Sequence, residues 1–180
     1  MTFFSSKQHR FKLDKSHYYI PLKAIIDTER ILLDFPLRRE PEEKIVFWAG
    51  VREEVKSTVK LVIVPKAMTN TGSVVVSHEA NFHFVKTISS RALVQVAQIH
   101  THPTSWVGHS PGDNEHAAFK VKGLLSIVVP SYCIKGMLPL EKCGVHRFDG
   151  RNFIRLQTKY VRTHFHILND EGSELMDLRK

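Results

Sequence analysis

Apolar residues recur at helical spacing from Pro21 to Asp34, which predicts a first helix with Pro21 in its opening turn and a stop before Phe35-Pro36. Short apolar and β-branched runs then predict strands at Ile45 to Gly50 and Thr58 to Val64. Lys66 to Gly72 reads as a loop, because Asn70-Thr71-Gly72 is turn chemistry, and a short Val74-Val75-Val76 run follows. Phe82, Phe84, Val85 and Ile88 fall on helical faces between Ala80 and Arg91 and predict a second helix. Leu93 to Ile99 reads as a buried strand that ends before Pro103, which cannot donate to a sheet ladder. A third helix is expected from just beyond Asp113 to about Lys122.

Leu124 to Pro130 has the continuous apolar character of a central strand. Cys143 to Phe148 and Asn152 to Leu156, joined by Asp149-Gly150-Arg151, carry a hairpin signal. A short strand at Phe11 to Asp14 is expected near the start, and the polar tail around Asp170-Glu171-Gly172 is expected to fray. Helices separated by strands of mixed connection predict an α/β fold, a sheet with helices on its faces.

At 180 residues the chain suits one domain, spanning 1–180. No apolar run approaches the roughly 20 residues of a membrane span, and no signal-peptide stretch opens the chain, so a cytoplasmic protein is expected. The two cysteines, Cys133 and Cys143, lack the paired spacing of a zinc ribbon or a disulfide framework. A formal charge of +8 and a pI near 9.6 permit acidic partners. The charges are scattered, clusters such as Leu37-Arg38-Arg39 lack interleaved aromatics, and no nucleic-acid motif is present, which argues against nucleic-acid binding as the main role.

The chemistry concentrates in His100-Thr101-His102-Pro103, followed by Ser110 and Asp113. Residues two apart on a strand share a face, so His100 and His102 can approach one cation together while Thr101 faces away. Asp113 follows Ser110-Pro111-Gly112 and can swing a carboxylate onto the two imidazoles. Two histidines and one carboxylate leave the fourth tetrahedral position of a zinc ion open for water, which is the arrangement of catalytic zinc and not of closed structural sites. Ser110 can alternatively cap the helix that starts near Asp113.

His-x-His-Pro, six residues, Ser, two residues, Asp resembles the signature of the JAMM, or MPN-plus, metalloproteases, and its Ser110-Pro111-x-Asp113 form looks like the bacterial branch. The resemblance covers roughly residues 20 to 156, with a C-terminal tail from about 157 to 180. It implies the MPN fold, similar to the cytidine-deaminase-like arrangement, with a curved mixed sheet flanked by helices. It also implies one catalytic Zn2+ held by His100, His102 and Asp113. The family uses an upstream glutamate, seven residues before a glycine, to hold the reacting water and shuttle its proton. Glu43 keeps that distance to Gly50, although Val46 stands where the first glycine is usual. Glu42, Glu53 and Glu54 remain alternative bases. By the same resemblance Ser110 would hydrogen-bond the oxygen that becomes negative.

The resemblance implies hydrolysis of the amide bond after the C-terminal tail of a ubiquitin-like protein, to free it from conjugates or process its precursor. Similar small bacterial proteins accompany ubiquitin-like conjugation enzymes, some in antiphage operons, while others process sulfur-carrier proteins. An extended tail would pair with exposed sheet backbone, and Ala67 to Ser77 is the candidate wall. Trp106, Val107 and His109 are candidate substrate contacts or scaffold residues, and His109 and His116 are not family ligands. Non-catalytic MPN scaffolds form the second reading, but they usually lack the ligand set that is present here. A zinc deaminase would need Cys-x-x-Cys and His-x-Glu pieces, which this chain lacks.

Overall fold

Pro21 closes a strand and opens a helix, because its φ of −55° and ψ of 138° leave the sheet and set up the first turn. The computed structural model describes residues 15–34, 40–115, 117 and 119–179. Strand β1 (His17–Pro21) runs directly into helix α1 (Leu22–Leu32), which buries Ala24, Ile25, Thr28 and Leu32. The next pair, β2 (Ile45–Arg52) and β3 (Lys56–Val64), is antiparallel. A separate hairpin follows, β4 (Ala67–Asn70) and β5 (Ser73–Val76). Helix α2 (His78–Ser90) starts at Ser77, whose side chain accepts a hydrogen bond from the Ala80 N–H at 3.2 Å. The remaining elements are β6 (Val94–Thr101), the single turn α3 (Pro111–Glu115), β7 (Leu125–Val129), β8 (Gly144–Phe148), β9 (Phe153–Arg155), α4 (Thr158–His164), β10 (Phe165–Leu168) and β11 (Glu174–Asp177).

Among the described residues nine strands form one mixed sheet in the order β10-β1-β3-β2-β6-β7-β8-β9, with β11 also on β3. With β2 on one edge of β3, β1 and β11 divide the other, β1 against Lys56 to Thr58 and β11 against Leu61 to Val64. Side chains alternate across the sheet, so Val46 and Trp48 face one side and Phe47 and Ala49 the other. The Trp48 side clusters with Ala24, Ile25 and Leu32 of α1 and Val161 of α4. The Trp48 indole N–H donates to Thr28 Oγ1 at 2.8 Å, which joins α1 to the sheet centre. The Phe47 side packs on Phe84 and Ile88 of α2, with the Phe47 and Phe84 rings 4.7 Å apart. Burial of Phe84 alone contributes about 2 kcal/mol.

One register shift bears on the site. Ala49 pairs with Leu61 but Gly50 with Val59, so β3 carries an extra residue opposite this point. The bulge brings the Thr58 carbonyl within 1.9 Å of where a Cβ on Gly50 would sit. Only glycine fits there.

Three expectations are corrected. Residues 66–72 are not simply a loop: Ala67 to Asn70 pairs with Ser73 to Val76 around a two-residue Thr71-Gly72 turn, in which the Gly72 N–H donates to Asn70 Oδ1 at 2.9 Å. The helix after Asp113 ends at Glu115, and the later apolar spacing reflects Ala117 and Phe119 packing against Leu124, Phe148 and Phe153. The tail does not fray at 170–172 and end there. Residues 165–168 pair with β1, residues 174–177 pair with β3, and the Leu178 N–H donates to Val64 O at 2.9 Å. The strand expected at 11–14 and the helix stop at 35–36 lie outside the described residues. α1, α2, the central strands and the β8–β9 hairpin stand within a few residues of their expected bounds, and α4 follows them where no helix was expected.

Candidate metal centre

β6 lies between antiparallel β2 and parallel β7, so its end is held from both sides where His100 and His102 emerge. His100 pairs with Ile45 on one strand and Val128 on the other. One step past the strand, the His102 N–H donates to Val129 O at 2.9 Å. Thr101 points the opposite way and is buried. Its hydroxyl accepts from the Lys44 N–H at 2.9 Å while its own N–H donates to Lys44 O at 3.1 Å. That double link sets the segment ending in Glu43 beside the two histidines.

Asp113 reaches the histidines from α3. Ser110 Oγ accepts from the Asp113 N–H at 3.0 Å and Asp113 Oδ2 accepts from the Ser110 N–H at 2.7 Å, a reciprocal cap that fixes a one-turn helix. The carboxylate then presents Oδ1 to His100 Nε2 and Oδ2 to His102 Nε2, each at 3.3 Å. One ligand atom from each of the three residues lies within 4.8 Å of the others. His102 Nδ1 faces the Trp106 carbonyl at 3.1 Å. A carbonyl only accepts, so Nδ1 carries the proton and Nε2 turns its lone pair inward, the usual second-sphere arrangement of a metal-binding imidazole.

The three residues fit a cation. His100 Nε2 is buried with no hydrogen-bond partner among the described residues, a costly state that a bound cation would satisfy. Burial alone would raise the Asp113 carboxyl, but the imidazoles of His100 and His102 against it outweigh that effect and hold Asp113 far below its usual range. The donor set of two imidazoles and one carboxylate suits zinc with an open position.

Glu43 sits in the same cleft, about 380 Å³ in volume, as the three ligands and Ser110. It is only 5% exposed. Burial raises its carboxyl to about 7, against the opposing pull of His102 and with the Asp113 charge adding to the rise. The other glutamates lie elsewhere. The Glu42 carboxylate accepts from the Thr69 hydroxyl, Glu53 and Glu54 sit in the turn after β2, and Glu40 is exposed. Ser110 Oγ serves the cap as an acceptor, which leaves its O–H as a donor toward the cleft it lines. The cap and the donor role proposed for Ser110 are therefore compatible.

Trp106 lines the cleft 52% exposed, its ring stacked on His102 at 5.2 Å. His109 turns inward instead. Burial, with His146 beside it, pushes its imidazole down to about 4, so the ring is neutral. Nδ1 donates to Asn114 Oδ1 at 3.1 Å, and Nε2 therefore accepts from the Ser126 hydroxyl at 2.8 Å. Gln98 Nε2 donates to that same hydroxyl at 3.2 Å, and Asn114 Nδ2 donates to Ser110 O at 3.1 Å. A continuous chain of donors thus ties β6 and β7 to the cap that carries Asp113. His116 is not among the described residues.

Gln98, Ser126 and Asn114 escaped the sequence reading. Gln98 was detectable, since it sits two residues before His100 on the same strand face and is polar in an apolar run. Gly144 was not. A Cβ there would lie 1.8 Å from the Val107 carbonyl, so its role in seating the ligand loop on β8 exists only in three dimensions.

No family model and no curated protein matches the chain. The chain is similar in fold to the solution structure of protein DSY2949 from Desulfitobacterium hafniense. The TM-score is 0.57 at 13% identity, over 85% of this chain and 94% of that one. At that identity the likeness concerns the α/β fold alone. No helix among the described residues is long and apolar enough to cross a membrane.

Proposed function

We propose that the chain is a JAMM-type zinc peptidase of MPN fold that cuts after the C-terminal tail of a ubiquitin-like protein, working in the cytoplasm. The observation that carries this reading is the convergence of His100, His102 and Asp113 with Glu43 and Ser110 in one cleft. His100 Nε2, His102 Nε2 and an Asp113 oxygen would hold one Zn2+. Bound there, the ion would supply an acidified water and an electrophile for the scissile carbonyl.

Glu43 orients the attacking water and takes its proton, then hands that proton to the leaving amine. Its burial suits the task, since a carboxyl near neutral exchanges protons at cell pH. Ser110 donates its hydroxyl hydrogen to the carbonyl oxygen as negative charge develops there. The Gln98–Ser126–His109–Asn114 chain keeps α3, and hence Asp113 and Ser110, in register with the histidines. β5 lines the cleft through Ser73 and Val74, and among the described residues its outer edge makes no backbone hydrogen bond. An extended tail can add there as a strand.

The test is cleavage of a ubiquitin-like protein fused through its tail to a reporter, with zinc content measured in parallel. Wild type should bind one zinc and cleave, Glu43→Gln should keep the zinc without cleaving, and His100→Ala should lose both. A Glu43→Gln protein that still cleaves would remove Glu43 from the mechanism.

A further inference from the structure

Residues Ser131, Tyr132 and Cys133 all adopt left-handed backbone, with φ of 51°, 52° and 68°, although none is glycine. L residues rarely do so, and three in succession make a tight turn directly after β7. Cys133 anchors that turn in the core. The turn lets one residue reach in two directions. The Tyr132 N–H donates to the carbonyl of His102 at 2.8 Å, and the Tyr132 hydroxyl donates to the carbonyl of Thr71 at 2.7 Å, in the turn of the β4–β5 hairpin. A single residue, through its backbone N–H and its phenol, thus joins the backbone of a candidate metal ligand to a turn 61 residues before Tyr132.

The hairpin depends on such ties. Met68, Thr69 and Asn70 of β4 are exposed, Met68 at 69%, and Val76 is the hairpin residue that packs on the α2-side core. Its tip is held by polar contacts that converge on the site: the Glu43 N–H donates to Asn70 O at 2.8 Å, and the Thr69 hydroxyl donates to the Glu42 carboxylate. Tyr132 supplies the tie from the opposite direction. Burial, with the charges of Glu43 and Glu40 nearby, raises the phenol above its ordinary value, so it remains a donor at neutral pH.

We propose that Tyr132 is a positioning residue that locks the β4–β5 hairpin to the backbone of His102, so that β5 forms a pre-set ledge for an extended peptide at the metal cleft. The part about the peptide rests on the peptidase reading above, whereas the lock does not. With the ledge fixed, a tail paired along β5 reaches the metal ligands without first ordering the hairpin. Loss of the phenolic hydrogen bond therefore weakens tail binding and leaves the chemistry at Glu43 and Ser110 unchanged.

The test uses the zinc-loaded full chain and Tyr132→Phe, which keeps the ring and the backbone N–H. Amide hydrogen exchange across 67–76 should accelerate about three- to ten-fold, the value of one net hydrogen bond, while β6 and α2 exchange as in wild type. KM for the ubiquitin-like fusion should rise by a similar factor with kcat within about two-fold. Thr71→Ala is the control, because the acceptor is its backbone carbonyl, and it should behave as wild type. Unchanged hairpin exchange in Tyr132→Phe overturns the lock. Faster exchange with an unchanged KM in a cleaving enzyme overturns the ledge. If wild type cleaves no such fusion, the peptidase reading fails, and the exchange data still decide the lock.

Discussion

Ser110→Ala separates the cap that the structure shows from the oxyanion role proposed for the same hydroxyl. As a cap, Ser110 Oγ accepts from the Asp113 N–H at 3.0 Å, and its loss frays a one-turn helix whose carboxylate faces both histidines. Loss of such a cap costs about 1 kcal/mol, or roughly a five-fold weakening of zinc affinity if all of it reaches Asp113. The Ser110 N–H still donates to Asp113 Oδ2 at 2.7 Å, so the ligand keeps half of its tether. As a donor to the developing oxyanion, the same hydroxyl is worth far more, about 10²- to 10³-fold in kcat. Zinc affinity would be measured by competition with a chromophoric chelator, and kcat on fully metallated protein with the ubiquitin-like fusion. The expected result is a zinc affinity within about ten-fold of wild type and a kcat down by at least about 10²-fold. Ser110→Thr, which keeps the Oγ, should recover most of both. A Ser110→Ala protein whose fully loaded kcat falls only a few-fold would show that Ser110 is a cap alone.

Other consequences follow from the same contacts. Thr101→Val keeps the buried shape but strips the Lys44 N–H of its acceptor, costing about 1–3 kcal/mol of stability; melting curves should show that loss, and cleavage should fall with zinc retained, because Glu43 is displaced. Gly144→Ala places a Cβ 1.8 Å from the Val107 carbonyl and forces the ligand loop off β8, so zinc affinity should fall along with at least about 3 kcal/mol of stability in urea unfolding. In metal-free protein the folded Glu43 carboxyl stands near 7, above its unfolded value of 4.5, so its stabilising contribution is present below the unfolded pKa and is lost as pH rises toward 7. That loss amounts to about 3 kcal/mol at most, at roughly 1.4 kcal/mol per pH unit. The stability of metal-free wild type minus that of Glu43→Gln, from urea titrations at pH 5, 6 and 7, should fall across that range. His102, raised in the fold, adds a decline of the same sign, whereas His109 and His146, lowered in the fold, add a rise, and these shared contributions largely drop out of the difference between the two proteins. A slope identical in both proteins would remove Glu43 from the account.

The meeting of the candidate ligands was legible because they are local. His100, His102, Ser110 and Asp113 fall within one strand end and one turn, where strand parity and capping chemistry determine which side chains meet. Glu43 was harder to place from sequence, since several glutamates surround it. What singles it out is cross-strand register: Ile45 opposite His100 and Lys44 bonded to Thr101 carry Glu43 to the ligands, while Glu53 and Glu54 lie beyond the other end of β2. The hairpin at 67–76 was half visible, as a turn and a valine run, but its pairing is between a mostly exposed strand and a half-buried one that leave no apolar alternation to read. The closing strands were missed for a related reason. β11 is four residues long with charged residues at both ends, and its place on β3 comes from a parallel register more than a hundred residues distant. Tyr132 gave no signal at all, because its partners are two backbone carbonyls far away in sequence.

Metal content measured together with coordination is the most direct test of the central claim. Full-length protein loaded with zinc and freed of excess should hold one ion per chain, with an X-ray absorption spectrum of two imidazoles and low-atomic-number oxygen ligands, and Asp113→Ala should release it. A wild-type chain that retains no more zinc than His100→Ala would contradict the account at its root.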